Sequence, residues 1–276
     1  MDVIDGRVGV VTGGASGIGA ALVAAFSAAG LRTVVADIDV DRAAMVAAQA
    51  SEDGPESIAV GVDVADPASV QALADTAYEA FGAVHVLCNN AGVLLFKGFG
   101  DSIIEDWQWV YGVNVMGTIN GVTTFLPRMQ AGGEPGHIFN TSSVAALGAT
   151  GIYGTSKAAI LSLTDALADE LAGSSIRASA LLPGMVRSLI TDAERNRPPD
   201  KGRRVNDPTR EFAGLVGVDP ATCAERVLEA LRTGERYVFA GIPEGAFDLE
   251  TTQRRRFDEL MGAIEAGIVP DPAGDH

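Results

Sequence analysis

Residues 10–19 read VVTGGASGIG. They complete an apolar run that starts at Val8 and lead into alanine-rich sequence in which Ile18, Leu22, Ala25 and Phe26 keep one helix face. Strand, glycine turn and helix in that order open a doubly wound α/β sheet, where a dinucleotide pyrophosphate can rest on the helix N-terminus. Gly13, Gly17 and Gly19 follow the spacing GxxxGxG, which differs from the GxGxxG fingerprint but places small residues in the same turn. Taken alone, the spacing also fits a plain glycine-rich turn.

The second apolar run separates these readings. Val34-Val35-Ala36 ends at Asp37, roughly 20 residues beyond the glycines, where an acid accepts hydrogen bonds from an adenosine ribose. A 2'-phosphate would meet Asp37 with Asp39 and Asp41 close behind, while Arg32 and Arg42 sit at the wrong end of the strand and on the next helix. NAD is therefore expected and NADP disfavoured, the competing role for Asp37 being a helix N-cap.

Further runs with the look of buried parallel strands occur at Ile58 to Val62, Val84 to Cys88, His137 to Asn140, Arg177 to Leu182 and Tyr237 to Ala240. Helical patterns lie between them, such as Val70, Leu73, Ala77 and Phe81, or Ile160, Leu163, Leu167 and Leu171. The alternation predicts an α/β fold: a doubly wound parallel sheet with helices on both faces, the Rossmann fold, as one domain over residues 1–276. Residues 188–217 are polar, rich in Arg and Pro and without period, and read as a mobile substrate lid. A C-terminal helical extension is expected at 249–265.

Composition removes several classes of function. A net charge of -16 would repel a phosphate backbone, so nucleic acid is not an expected partner. The opening MDVID is acidic where a signal peptide is basic, and no 18 apolar residues run together, which points to a soluble cytoplasmic protein without membrane association. Two cysteines, Cys88 and Cys223, are too few for a disulfide framework. His85, His137 and His276 lack ligand spacing, so no metal is expected. No G-x-S-x-G or G-x-x-x-x-G-K-[ST] motif occurs.

Tyr153-Gly154-Thr155-Ser156-Lys157 opens a helical stretch, and a spacing of four puts Tyr153 and Lys157 on one face. A phenol titrating at about 10 must be brought near neutrality to act as an acid/base, at some 3 to 4 kcal/mol, and a neighbouring ammonium and the positive nicotinamide of NAD+ act in that direction.

With the glycine loop, Asp37 and this pair in one chain, the sequence resembles the short-chain dehydrogenase/reductase family from about Gly6 to Gly241. TGGASGIG (Thr12 to Gly19), Asp63-Val64, Asn89-Asn90-Ala91-Gly92, Asn114 in VNVMG, Ser142-Ser143 and Pro183-Gly184 are similar to that family's motifs, in order. The resemblance implies a catalytic tetrad of Asn114, Ser143, Tyr153 and Lys157. Ser143 would hydrogen-bond the substrate oxygen and Tyr153 would exchange its proton. Lys157 would lower the tyrosine pKa and bind the nicotinamide ribose, and Asn114 would hold a water linking Lys157 to solvent. It further implies that NAD is bound by Gly13, Ser16, Gly17, Ile18, Gly19, Asp37, Asp63, Val64, Asn90, Ala91, Gly92, Tyr153, Lys157, Pro183, Gly184, Val186 and Ser188. Only nine residues separate Ser143 from Tyr153, a few fewer than is usual in the family, so Ser142 stands as the alternative to Ser143. After Pro183-Gly184-Met185-Val186 the family often has Thr two residues on, whereas here Arg187 is followed by Ser188, which keeps the hydroxyl expected at the nicotinamide carboxamide.

The substrate expected is a hydrophobic secondary alcohol or ketone, because Leu94-Leu95-Phe96, Leu147, Ile152 and Met185 fall near the site by resemblance; the same residues would equally serve a core. Seven bases against four acids between Arg187 and Arg210 fit either an anionic substrate group or a hydrated loop. The stretches Asp106 to Met129 and Tyr153 to Leu171 should flank the site and, by resemblance, meet their counterparts in a homo-oligomer, a tetramer or a dimer. The competing functions are a catalytically silent dinucleotide-binding sensor or scaffold, and an NADP-dependent reductase.

Overall fold

The computed structural model describes residues 4–95, 97–148, 151–199, 217–242 and 249–265. Two compact units divide the chain, Met1–Gly241 and Ile242–His276. The first holds a sheet of seven strands: β1 (Val8–Thr12), β2 (Arg32–Asp37), β3 (Ser57–Gly61), β4 (Val86–Asn89), β5 (Gly136–Thr141), β6 (Ile176–Pro183) and β7 (Tyr237–Ala240). Their order is β3-β2-β1-β4-β5-β6-β7, with every pairing parallel. The second unit contributes one described helix, α8 (Leu249–Glu265).

Period-two alternation divides the core between the two faces of the sheet. Val8, Val10, Val34 and Ile138 pack with Leu73 and Ala77 of α3 (Pro67–Phe81), Phe125 of α5 (Gly117–Gly132) and Leu167 of α6 (Gly151–Glu170). Val11, Val35, Phe139 and Leu181 face the other way, onto Leu22 and Phe26 of α1 (Gly17–Ala28), Ala43 of α2 (Val40–Asp53) and Val227 of α7 (Pro220–Thr233). Fully buried side chains such as Leu22 and Phe26 each contribute about 1.5 to 3 kcal/mol, which explains why the strands read as continuous apolar runs. Helices α3 and α7 start alike: Pro67 and Pro220 occupy first-turn positions, and Asp66 and Asp219 accept from Ala68 N and Ala221 N at 3.0 Å.

The stretch expected as one helix from Asp106 to Met129 is broken. Helix α4 (Ile104–Tyr111) passes into a π-turn, Gly112–Met116, before α5 begins. Such turns are seldom found away from functional sites, and this one carries Asn114. After β6 the chain forms a kinked 3-10 segment, Leu189–Asn196; of the expected lid, residues 200–216 lie outside the described residues. Among the described residues no helix is long and apolar enough to cross a membrane.

Candidate active site

Strand order reverses between β1 and β4, and a parallel sheet binds ligands in the crevice at the carboxyl ends of the strands on either side of such a point. A cavity of about 330 Å³ opens there. At one end it is lined by Gly13, Ser16, Gly17 and Asp37, and at the other by Ser143, Tyr153 and Lys157.

The glycine turn is shaped by close approach. Gly13 and Gly17 hold φ of +66° and +53°, values costly for any residue with a side chain. A Cβ on Gly13 would stand 2.8 Å from Ala91 Cα, and one on Gly19 would stand 2.0 Å from Gly13 O. Ser16 caps α1 without a side-chain cap bond, and the first turn contains no acid, so the positive end of the helix faces the cavity uncompensated. At the lip, Asp37 accepts from Ala15 N and Asp39 N, each at 3.0 Å, which fixes its carboxylate. A buried glycine cradle, a free helix N-terminus and a fixed acid suit the pyrophosphate and ribose of a dinucleotide.

Thr12, which sequence reasoning passed over as part of a motif, ties the two loops of this crevice. Its Oγ1 accepts from Asn90 N at 3.0 Å and Ala91 N at 3.1 Å and donates to Cys88 O at 3.3 Å, while Asn90 Nδ2 donates to Thr12 O at 3.0 Å. A lone hydroxyl closing an otherwise apolar buried strand was the available signal.

Every expected cofactor residue, from the loop glycines to Asp63, Val64, Gly92, Pro183, Gly184, Val186 and Ser188, borders the cavity except Gly19, which packs behind the turn. Ser188 Cβ lies 2.8 Å from the position of a Cβ on Gly17, so the loop after β6 closes over the turn.

At the other end, Asn114 is fully buried and belongs to the framework. Its Oδ1 accepts from Val93 N at 2.8 Å, and its Nδ2 donates to Val93 O and Ser156 Oγ, both at 3.0 Å. Without a side chain, Gly92 leaves a gap: a Cβ there would meet Asn114 Oδ1 and Lys157 Nζ at 3.4 Å each. The two neighbouring serines separate in role. Ser142 Oγ donates to Lys157 O at 2.7 Å, whereas Ser143 is hydrogen-bonded to the Tyr153 hydroxyl and lies 3.3 Å from Pro183 O.

Burial sets the electrostatics of Tyr153 and Lys157. Lys157 Nζ lies 5.6 Å from the Tyr153 ring centroid and donates to Thr141 O at 2.8 Å, yet the tyrosine pKa is not lowered. Burial pushes it up to about 12, against the opposing pull of the Ser143 hydrogen bond, and burial lowers Lys157 to about 7. Desolvation outweighs their proximity because both charged forms lose water in the same pocket.

The apolar wall also differs from the residues expected. Leu94 is buried, and Leu95 and Ile152 join a core cluster with Val110; Phe96 lies outside the described residues. Val93, Trp109, Val113, Ile190 and Ala193 face the cavity instead. Among the expected lid bases, Arg187 pairs with Asp219 and Arg197 is buried, whereas Arg195 borders the cavity with Nη1 on Leu189 O and Asp192 O at 2.9 and 3.0 Å. Lys201, Arg203, Arg204 and Arg210 lie outside the described residues.

The short chain dehydrogenase family model matches residues 7–199. The chain belongs to the short-chain dehydrogenase family. It is 34% identical over 272 residues to a 1-deoxy-11-beta-hydroxypentalenate dehydrogenase of Streptomyces exfoliatus, covering 97% of this chain and 92% of that one. Over 190 residues it is 37% identical to a 3-alpha-(or 20-beta)-hydroxysteroid dehydrogenase of Mycobacterium bovis, covering 68% and 72%. A short chain dehydrogenase/reductase of Burkholderia phymatum, solved in complex with NAD, superposes with a TM-score of 0.87 at 37% identity, covering 95% of this chain and 97% of that one. This short-chain dehydrogenase is thus an oxidoreductase that acts on CH–OH groups of a small molecule by hydride transfer with a nicotinamide cofactor.

Proposed function

We propose that the enzyme is NAD-dependent and interconverts a hydrophobic secondary alcohol and its ketone, with Tyr153 as acid/base. The observation that carries this is the hydrogen-bonded Ser143–Tyr153 pair at one end of a cavity whose other end holds the fixed Asp37 carboxylate. Gly13, Ser16, Gly17, Ile18 and Gly19 would hold the pyrophosphate, Asp37 the adenosine ribose and Asp63-Val64 the adenine. Asn90, Ala91, Gly92, Pro183, Gly184, Val186 and Ser188 would hold the nicotinamide half. When bound, the nicotinamide supplies the hydride acceptor or donor.

Ser143 positions the substrate oxygen, and Tyr153 exchanges the hydroxyl proton with it. With a pKa near 12 the phenol is protonated at neutral pH and is set to donate to a ketone oxygen. Lys157 binds the ribose beside it, and Asn114 fixes the Val93 backbone at the edge of the cavity. NAD over NADP is supported by the Asp37 carboxylate at the lip of the cavity and by the engagement of the two bases nearest it in sequence: Arg42 pairs with Asp39, and Arg32 stacks on Phe81. A hydrophobic substrate is supported by Trp109, Val113 and Ile190 and by the hydroxypentalenate and hydroxysteroid in the names of the relatives. Assembly as a homo-oligomer, a tetramer or dimer, completes the proposal, and light scattering tests it. A cytoplasmic location is supported by two free, buried thiols, Cys88 and Cys223.

The test is nicotinamide absorbance with 1-indanol, androsterone and cholate, in parallel with NAD+ and NADP+. Turnover with NAD+ is expected, and Tyr153→Phe is expected to abolish it while NADH binding, followed by fluorescence, persists. Turnover surviving in that variant would refute the acid/base role.

A further inference from the structure

Four charged side chains meet out of water beneath the segment that follows β6. Asp106 in the first turn of α4 is fully buried, as is the side chain of Arg197, and the side chains of Glu194 and Lys97 are 2% and 5% exposed. Lys97 Nζ donates to Asp106 Oδ2 at 2.8 Å, and Ile103 N donates to the same oxygen at 3.0 Å. Arg197 Nη1 donates to Glu194 Oε1 at 2.7 Å. Arg197 Nη2 lies 2.8 Å from Asp106 Oδ1 without the alignment of a hydrogen bond, so this contact is an off-axis ion pair. Burial alone would raise the Asp106 pKa, but the bonds from Lys97 and Ile103 and the adjacent Arg197 guanidinium hold it below the usual carboxylate range. Among the described residues two cations and two anions offset one another here, which favours their burial, and removing one disturbs that balance.

The roles proposed above use none of the four, yet each belongs to an element that builds the cavity. Lys97 lies in the β4–α4 connection, and its carbonyl fills the space where a Cβ on Gly151 would be, 2.3 Å away, at the head of the helix that carries Tyr153. Helix α4 also presents Gln108 and Trp109 to the cavity, and the Arg197 guanidinium lies 5.0 Å over the Trp109 ring. The segment itself presents Leu189, Ile190, Ala193 and Pro198.

Its other end is anchored separately. Gly184 N and Met185 N donate to Ala240 O and Gly241 O at 2.8 and 3.1 Å, and Arg187 N donates to Val218 O at 3.0 Å. Backbone pairing thus secures the end that covers the glycine turn, and the ionic cluster secures the end that faces Trp109.

We propose that Lys97, Asp106, Glu194 and Arg197 form a clamp that holds residues 189–198 as the wall of the alcohol subsite. Asp106 is its positioning residue because it meets both cations. The assignment of that wall to the alcohol rests on the function proposed above; the clamp itself does not.

Asp106→Asn keeps the shape and an acceptor for Ile103 N while removing the charge. Hydrogen exchange read by mass spectrometry is expected to run at least tenfold faster over residues 189–199, with peptides from β1 and β5 unchanged. KM for whichever of 1-indanol, androsterone and cholate is turned over should rise about tenfold, with kcat within threefold and NADH affinity within twofold. Arg197→Met should reproduce these effects, and the double variant should be no worse than either single one, since both act through one contact network. Should Asp106→Asn not fold, Lys97→Met at the cluster's edge gives the same readouts at about threefold. Unchanged exchange over 189–199, or acceleration that spreads to the sheet peptides, overturns the clamp. Accelerated exchange with an unmoved KM overturns its role in the subsite. Absence of turnover by the wild type bears on the proposed function, and the exchange result still decides the clamp.

Discussion

Lys157 offers the sharpest test of the site's electrostatics. Its ammonium titrates ordinarily at 10.5 and is lowered by burial to about 7, with the side chain 2% exposed. For a base whose folded pKa lies below its unfolded one, the unfolded chain binds the extra proton between the two values, so stability rises with pH across that window. Below pH 7 both states are charged and the full burial penalty applies; above about 10.5 both are neutral and it vanishes. At 1.36 kcal/mol per unit the full penalty is about 5 kcal/mol, of which about 4 kcal/mol applies at pH 7, where the folded lysine is half neutral. Lys157→Met removes the titration and also the bond to Thr141 O, a loss of about 1 kcal/mol that does not depend on pH.

Urea unfolding of wild type and variant without added coenzyme, at pH 7, 8, 9 and 10, isolates the lysine, because other titrations cancel in the difference. At pH 7 the variant should be the more stable by about 3 kcal/mol, and by pH 10 the advantage should have disappeared. Tyr153 adds the opposite slope only above pH 10, where the unfolded chain loses its phenolic proton and the folded one, with a pKa near 12, retains it. Parallel stabilities of the two proteins from pH 7 to 10, within about 1 kcal/mol, would refute the reasoning.

Three further outcomes follow from contacts already described. Thr12→Val leaves the Asn90 and Ala91 N–H groups without their acceptor and should cost about 2 to 3 kcal/mol in urea unfolding, whereas Thr12→Ser should recover most of it. Asp37→Ala should lower kcat/KM for NAD+ at least tenfold and narrow its advantage over NADP+, as measured with both coenzymes on one alcohol. Gly121→Ala would set a Cβ 2.0 Å from Asn89 Oδ1, whose amide bonds Asn140 at 2.9 Å, and should destabilise by about 2 kcal/mol or more despite alanine's better helix propensity, as thermal unfolding would show.

The parts of this molecule that were legible in its sequence are those governed by local pattern. Apolar runs marked all seven strands, the inner ones because both faces of the sheet are buried there, and the glycine turn, Asp37 and the Tyr153–Lys157 spacing each declared themselves within a few residues. What escaped depends on contacts between distant positions. Asp106 only opened a helical stretch and Glu194 and Arg197 fell among the charges of the expected lid, since nothing local shows that they meet. The tyrosine pKa could not be read either: the spacing of four implied an ammonium neighbour, but desolvation, set by the whole pocket, exceeds it. Likewise Leu95 and Ile152 were as apolar as Trp109 and Val113, and only packing decides which pair lines the cavity.

The same distant contacts explain how a crevice between loops holds its shape. Several polar side chains around the carboxyl ends of the central strands are bonded to the backbone of a neighbouring segment. Thr12 binds the loop after β4, Asn114 binds Val93, Ser142 binds the α6 backbone and Lys157 binds Thr141 at the end of β5. These bonds lie in buried surroundings, where an unmade one is costly, so the backbone cannot drift without exposing several orphaned groups together. The geometry proposed for catalysis is therefore held by the chain's own contacts, so binding free energy need not be spent on ordering it. The segment after β6 is the exception in its means of attachment: one end is tied by backbone pairs and the other by buried charges, so a single charge can be removed there without touching the framework that holds Tyr153.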